Sequence, residues 1–176
     1  MLEIIIAVVV AISLLLLIFT IIHNRFQLAI IKIEKAEDDI TIYLEKKREL
    51  LTRTRPIITK ELKLDTFLAE LDNDFKQINN FEENDILKKS YNEFLKIIDD
   101  NDKLLKSESL STISSNLNDN EEDIVGAIKF YNDTVVNYNK LVVSFPSNII
   151  GFFMRLKRKE FYNNEKKEMF EILNEK

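Results

Sequence analysis

The sequence predicts an all-α protein, in which an N-terminal transmembrane helix continues into an antiparallel up-down four-helix bundle with a short helical C-terminal tail. Three observations support this. The 176 residues include only two glycines and two prolines, whereas turn-rich β folds need many more such residues. Residues 4–22 form an uncharged apolar run. Beyond it, apolar residues recur at spacings of three and four, the period of one helix face.

The run at residues 4–22 is long enough to span a bilayer, which takes about 20 helical residues. A cleaved signal peptide is the alternative, but no Lys or Arg precedes the run and no small-x-small motif follows it. A buried core helix is disfavoured, because the run is apolar on all sides. Arg25, Lys32 and Lys35 follow closely, so the positive-inside rule predicts a single-pass anchor, residues 1–22, with the C-terminal domain in the cytoplasm.

Residues 23–146 are predicted to form the bundle. No helix breaker precedes Arg53, so the anchor is expected to continue into the first bundle helix. A second helix is expected to begin at Pro56, a favourable first-turn residue, and to carry the apolar stripe from Ile57 to Ile78. Similar stripes also occur in open coiled coils that complete their core as homo-oligomers.

The third and fourth predicted helices follow the same rule. The third carries a stripe through Leu87 and Ile98 and is expected to break in the acidic segment 99–102. The fourth is expected from about residue 107 until Pro146, which lacks the amide hydrogen needed to continue a helix. Its stripe consists of Ile124, Ile128, Tyr131, Val135, Tyr138, Val142 and Phe145.

Two Tyr-Asn pairs seven residues apart lie within this fourth stripe. The segment resembles the C-terminal signature of the LemA family, E-x-x-I-x-x-A-R-x-x-Y-N-x-x-V-x-x-Y-N-x-x-I-x-x-F-P. The matching residues are Glu121, Ile124, Ala127, Tyr131, Asn132, Val135, Tyr138, Asn139, Phe145 and Pro146. Ile128 stands where the signature has arginine. The resemblance implies an anchored helical bundle in the bacterial cytoplasmic membrane; one branch, the magnetosome protein MamQ, is associated with membrane remodelling.

The residues that enzymes use are sparse in this chain. It has no cysteine and a single histidine, His23, so thiolate metal sites, Cys-His nucleophiles and Glu-x-x-His metal pairs are excluded. The acidic groups at 99–102 and 121–123 lack the turn glycine of a calcium loop and are interpreted as solvated helix ends and faces. A net charge of −5 argues against nucleic acid as the main partner. We expect no enzymatic activity, cofactor or metal.

The tail, residues 147–176, interleaves apolar and basic residues and is expected to lie at the membrane surface. Three apolar residues are predicted to insert into the bilayer and four basic residues to contact anionic head groups. The apolar residues are Phe152, Phe153 and Met154, and the basic residues are Arg155, Lys157, Arg158 and Lys159. Alternatively, the aromatic residues cap the end of the bundle.

Two charged residues, Glu37 and Lys47, interrupt the stripe of the first helix. Counted from the membrane end of each helix, Lys47 lies as far along as Glu121, and Glu37 as far as Tyr131. This predicts that the first and fourth helices are antiparallel neighbours, that Lys47 pairs with Glu121, and that the Tyr131 hydroxyl donates to Glu37. Alternatively, Lys47 extends to water and Glu37 lies at a solvated edge.

These features predict a non-enzymatic scaffold or interaction protein, anchored in the membrane and acting on the bilayer or an unidentified membrane protein. The alternative is a sensor, whose bundle transmits a signal from a partner membrane protein or holds a small ligand. A large apolar cavity between the helices would favour the sensor.

Overall fold

The structure is a computed structural model that describes residues 1–64, 66–72 and 74–162. Every regular element in these ranges is a helix, which confirms the all-α prediction. The α-helices are α1 (Leu2–Leu62), α2 (Asn80–Asp99), α3 (Asp102–Leu105), α4 (Glu108–Val143) and α5 (Ser147–Phe153). Two short 3₁₀ helices, Ala69–Asp72 and Phe75–Gln77, lie between α1 and α2.

The described residues pack as two compact units. The terminal unit contains residues 1–35 and 130–162, and the central unit contains residues 36–129. Helices α1 and α4 contribute residues to both.

The start of α1 is apolar and exposed. Residues 1–21 are all exposed, and α1 is the one helix in the described part of the chain long and apolar enough to cross a membrane. Further along the same helix, Phe26 and Ile33 in the terminal unit are buried, as are Ile40 and Leu44 in the central unit. One helix therefore carries both a candidate membrane span and core residues.

The predicted helix start at Pro56 is wrong, because α1 continues through this proline to Leu62. Pro56 has no amide hydrogen to donate to the Thr52 carbonyl, so one bond of the helix is missing. The helix ends where Lys63 adopts a left-handed conformation, with φ 53°, while its N–H still donates to the Thr59 carbonyl over 2.9 Å.

The predicted second helix is absent from the described part of the segment between α1 and α2, apart from the two 3₁₀ helices. Asp72 bonds Arg55, the Phe75 ring lies 4.7 Å from the Arg48 guanidinium, and Asn80 bonds Thr41. As the segment runs from Asp72 to Asn80, its partners on α1 change from Arg55 to Arg48 to Thr41, seven residues nearer to the start of α1 each time. At ~1.5 Å per residue, these fourteen residues of α1 are about 21 Å long. Eight residues of a continuous α-helix would cover only about 12 Å, so these contacts do not fit the predicted second helix.

The predictions for α2 and α4 agree more closely with the structure. Helix α2 begins at Asn80, buries Leu87, Tyr91, Phe94 and Ile98, and ends in the predicted acidic segment. The Asn79 side chain caps it by accepting the Glu82 N–H over 3.0 Å. Helix α4 begins at Glu108, close to the predicted start at about residue 107, and ends at Val143, three residues before Pro146.

Phe145 is a correction to the fourth stripe. It lies beyond the end of α4 and is 80% exposed, because the helix that would have turned it inward has already ended. Helix α5 follows, and a Cβ built on Gly151 would lie 3.2 Å from the Phe26 ring, so α5 packs closely on α1 in the terminal unit. Within the described residues, the helical part of the predicted tail is α5. The prediction for residues 163–176 lies outside the described residues.

Candidate functional site

The most deeply buried charge of the central unit is Lys47. Its side chain is fully buried on α1, and its Nζ lies 2.5 Å from Glu121 Oε2 on α4. The Glu121 side chain remains 30% exposed. The structure thus places these two residues together, as the matched positions along the two helices predicted.

Other polar groups surround this ion pair. The Lys47 ammonium lies 5.0 Å from the centre of the Tyr91 ring, and the Tyr91 hydroxyl donates to Asn118. Buried Asn120 donates to the Tyr43 carbonyl oxygen over 3.0 Å. The side-chain oxygen of Asn120 accepts no hydrogen bond from the described residues. The cluster links α1, α2 and α4.

Burial lowers the pKa of the Lys47 ammonium, because loss of water disfavours its charge. The hydrogen bond and charge of Glu121 oppose this shift, and the charge of Lys88 adds to it. Burial therefore disfavours the charge of Lys47, and Glu121 favours it.

A second ion pair lies beside the first. The Arg48 guanidinium donates to Glu83 Oε1 over 2.9 Å, and the Glu83 side chain is only 7% exposed. Burial raises the pKa of Glu83, the Arg48 charge opposes this, and the Glu45 charge adds to it. The central unit therefore pairs charged side chains with each other.

The signature residues of the terminal unit bond a different kind of partner. We call Tyr131, Asn132, Tyr138 and Asn139 the signature residues, and residues 156–162, which follow α5 without helical structure, the strap. All four signature residues are at most 3% exposed. The Tyr138 hydroxyl donates to the Lys157 carbonyl over 2.9 Å, and the Tyr131 hydroxyl to the Glu160 carbonyl over 3.0 Å.

The two asparagines complete the attachment. Asn139 donates to the Lys159 carbonyl over 2.9 Å and accepts the Lys159 N–H over 2.8 Å, so both ends of one amide hold one residue. Asn132 accepts the Tyr162 N–H over 2.9 Å. These five bonds are to main-chain atoms and do not depend on which side chains the strap carries. The Tyr131 ring also packs edge-on against the Tyr162 ring of the strap, with ring centres 5.2 Å apart.

Sequence reasoning expected these residues to bond neighbouring helices. The acceptor that the structure gives the Tyr131 hydroxyl is a strap carbonyl, and its predicted bond to Glu37 stays a prediction. The signal for the actual partner was weak: two amides a heptad apart, each with a donor and an acceptor, suit an extended main chain.

The remaining signature positions are core or surface. Ile124 and Val135 are buried, Ala127 is half-buried, and Pro146 is exposed after α4. In the tail, Phe152 and Phe153 are 78% and 77% exposed, which does not fit the alternative that they cap the bundle. Met154 is half-buried. The exposed basic residues are Arg155, Lys157, Arg158 and Lys159.

The described residues offer little to a metal ion. They contain no group of three His, Cys, Asp or Glu side chains close enough to hold one. His23 instead stacks on Phe19, with ring centres 5.9 Å apart.

Fold and site together define an all-helical protein with a candidate N-terminal membrane span and a strap held by two Tyr-Asn pairs. The sequence matches the family model of the LemA family over residues 33–172, most of the chain. The chain belongs to the LemA family. No curated protein and no solved structure matches it.

Proposed function

We propose that this LemA-family protein is a non-enzymatic, membrane-anchored scaffold or interaction protein of the bacterial cytoplasmic membrane. The observation that carries the proposal is the continuity of α1. Its first residues, up to Ile21, expose apolar side chains in all directions, a surface suited to hydrocarbon and not to water. Phe26, four residues after Ile22, is already fully buried, so the anchor ends where a packed body begins.

The buried polar groups support a structural role. Lys47 and Glu83 are each bonded to an oppositely charged side chain, and the signature residues are bonded to main chain. An active site would instead direct such groups at a substrate. Just past the apolar run, Leu28 and Ile31 are 55% and 58% exposed, and we propose this face as the contact for the partner membrane protein.

We also propose antiparallel packing of the bundle helices. In the central unit, Ile98 and Leu110 line one cleft, and Tyr91 bonds Asn118. Residues further back in α2 thus meet residues further along α4, which supports an antiparallel pair.

Extraction of membranes from cells that express the full chain tests the anchor. We expect the protein to resist alkaline carbonate and to dissolve in detergent. Replacing Val9 and Leu16 with Arg should release it, because each charge at a span centre costs about 2.5 to 3.5 kcal/mol. Ile42→Arg, at a 59% exposed position outside the run, is the control. Carbonate release of the unaltered protein would refute the proposal.

The orientation is part of the proposal. The exposed Arg25, Lys32 and Lys35 follow the span and support a cytoplasmic body. A reporter fused after residue 176 should then be active in the cytoplasm, and protease access to it in intact cells would contradict this.

A further inference from the structure

Helix α5 and the strap carry an unusual surface for so acidic a chain. The whole protein has a net charge of −5, yet four of the five residues from Arg155 to Lys159 are basic, and all four are exposed. Immediately before them, Phe152 and Phe153 are more than three-quarters exposed. Exposed aromatic residues next to a basic cluster are typical of surfaces that bind anionic membranes.

The distance of α5 from the end of the apolar run, measured along α1, suits such a role. Gly151 packs against Phe26, which lies four residues, about 6 Å, past the end of the apolar run at Ile22. The head-group layer on one side of a bilayer is roughly 5 to 8 Å thick. If the apolar run fills the hydrocarbon core, α5 therefore lies at head-group level, where Phe152 and Phe153 can reach the acyl chains.

The strap begins at the same level. The Tyr138 ring packs edge-on against Phe26, with ring centres 6.1 Å apart, and its hydroxyl holds the Lys157 carbonyl. Of the four basic residues between Arg155 and Lys159, Arg155 and Lys157 therefore lie nearest to the lipid phosphates. Arg158 and Lys159 follow along the strap, within reach of a surface potential that decays over about 8 Å at physiological salt.

The hydrogen bonds that fix the strap do not use the side chains of Arg155 and Lys157. Each of these five bonds joins a signature residue to a main-chain atom of the strap. A strap already fixed on α4 also loses less conformational entropy on reaching the lipid than a loose tail would.

We propose that α5 and the strap form a binding surface for anionic phospholipid head groups of the bilayer that holds the anchor, with Tyr131, Asn132, Tyr138 and Asn139 as its positioning residues. This inference rests on the proposed membrane anchor. It gives the signature of this chain a role at the membrane: it holds a row of cations at head-group level.

The test uses the full chain in liposomes whose acyl chains are brominated, a modification that quenches nearby tryptophan. The protein has no tryptophan, so Phe153→Trp provides a single reporter at an exposed position. We expect strong quenching when the liposomes contain phosphatidylglycerol, and weak quenching in phosphatidylcholine alone or in high salt.

Two sets of variants separate charge from positioning. Arg155→Gln and Lys157→Gln should each weaken the contact about fivefold, the value of one basic residue near an anionic surface. Tyr131→Phe with Tyr138→Phe should also weaken it, although the net charge is unchanged. Tyr91→Phe, which removes a hydroxyl bond in the central unit, is the matched control and should change nothing.

The outcomes distinguish the inference from the anchor. A protein that floats with the liposomes but shows no quenching in either lipid would overturn the surface and leave the anchor standing. Failure to float would overturn the anchor itself. Quenching that depends on Arg155 and Lys157 but not on the two tyrosine hydroxyls would overturn the positioning role.

Discussion

The central and terminal units stabilise their buried polar groups in different ways. In the central unit, Lys47 bonds Glu121 and Arg48 bonds Glu83, side chain to side chain. In the terminal unit, the signature residues donate to and accept from main-chain atoms of the strap, and the Tyr131 ring packs edge-on against the Tyr162 ring, with ring centres 5.2 Å apart. A side-chain pair is lost when either residue changes, whereas a bond to main chain depends on one residue. Changes of side chain in the strap should therefore leave these hydrogen bonds in place, whereas a change of one member of a central ion pair leaves the other without its partner.

The largest expected effect is loss of the Lys47 partner. Glu121→Leu leaves a fully buried ammonium without its counter-charge, and we expect a loss of about 3 to 5 kcal/mol in unfolding free energy. Lys47→Met should cost less, because Glu121 is 30% exposed and can be hydrated. Denaturant unfolding of the full chain in detergent measures both.

The double variant completes the cycle. Lys47→Met with Glu121→Leu should recover much of the loss, because the buried charge has gone along with its partner. Additive effects, or single losses below about 1 kcal/mol, would mean that the pair behaves as an exposed one.

The second largest effect is expected at Asn139, which makes two hydrogen bonds to the main chain of the strap. Asn139→Leu removes both bonds to Lys159 and should cost about 1 to 3 kcal/mol, mainly as detachment of the strap. Faster proteolysis within the strap is the measurement. Lys159→Pro removes the donor N–H and keeps the Lys159 carbonyl that Asn139 bonds, so it should also detach the strap in part. An unchanged cleavage rate in both variants would contradict this attachment.

The third effect is a pH dependence of the central unit. The pKa of Glu83 is raised in the folded state, so the folded protein binds more protons than the unfolded one just above the ordinary Glu pKa. The stability contributed by Glu83 is therefore full at lower pH and is lost as pH rises through the folded pKa. Glu83→Gln should remove this fall. If the unfolding free energy of the unaltered protein and of Glu83→Gln changed with pH in the same way, Glu83 would not contribute this pH dependence.

The smallest effect is predicted for the strap side chains. Lys157→Ala and Lys159→Ala keep every main-chain atom that the signature residues bind, so stability should change by less than about 0.5 kcal/mol. Unfolding curves that shift by more than this would show that the side chains contribute to the attachment.

Apolar periodicity was enough to predict α1, α2 and α4, because each buries one stripe. It failed at Pro56, where the loss of one hydrogen bond is outweighed by burial of Leu51 and Ile58 on either side. It also failed between α1 and α2, where the stripe had helical spacing. Eight helical residues would span only about 12 Å of the ~21 Å that the chain covers there.

The ion pair and the strap differ in how visible they are in a sequence. Lys47 and Glu121 are charged residues within apolar stripes, so their identities pointed to each other. The five hydrogen bonds that hold the strap use carbonyl groups, which every residue possesses, and N–H groups, which every residue other than proline possesses, so these bonds cannot be recognised from the residue types of the strap. The sequence could therefore identify the signature but not its partner.

Amide hydrogen exchange in the strap tests most directly whether the signature residues bind its main chain. The Lys159 and Tyr162 N–H groups donate to Asn139 and Asn132, whereas those of Lys157 and Glu160 have no acceptor among the described residues. In the full chain we expect slow exchange at Lys159 and Tyr162, fast exchange at Lys157 and Glu160, and loss of the Lys159 protection in Asn139→Leu. Equally fast exchange at all four amides in the unaltered protein would contradict the account.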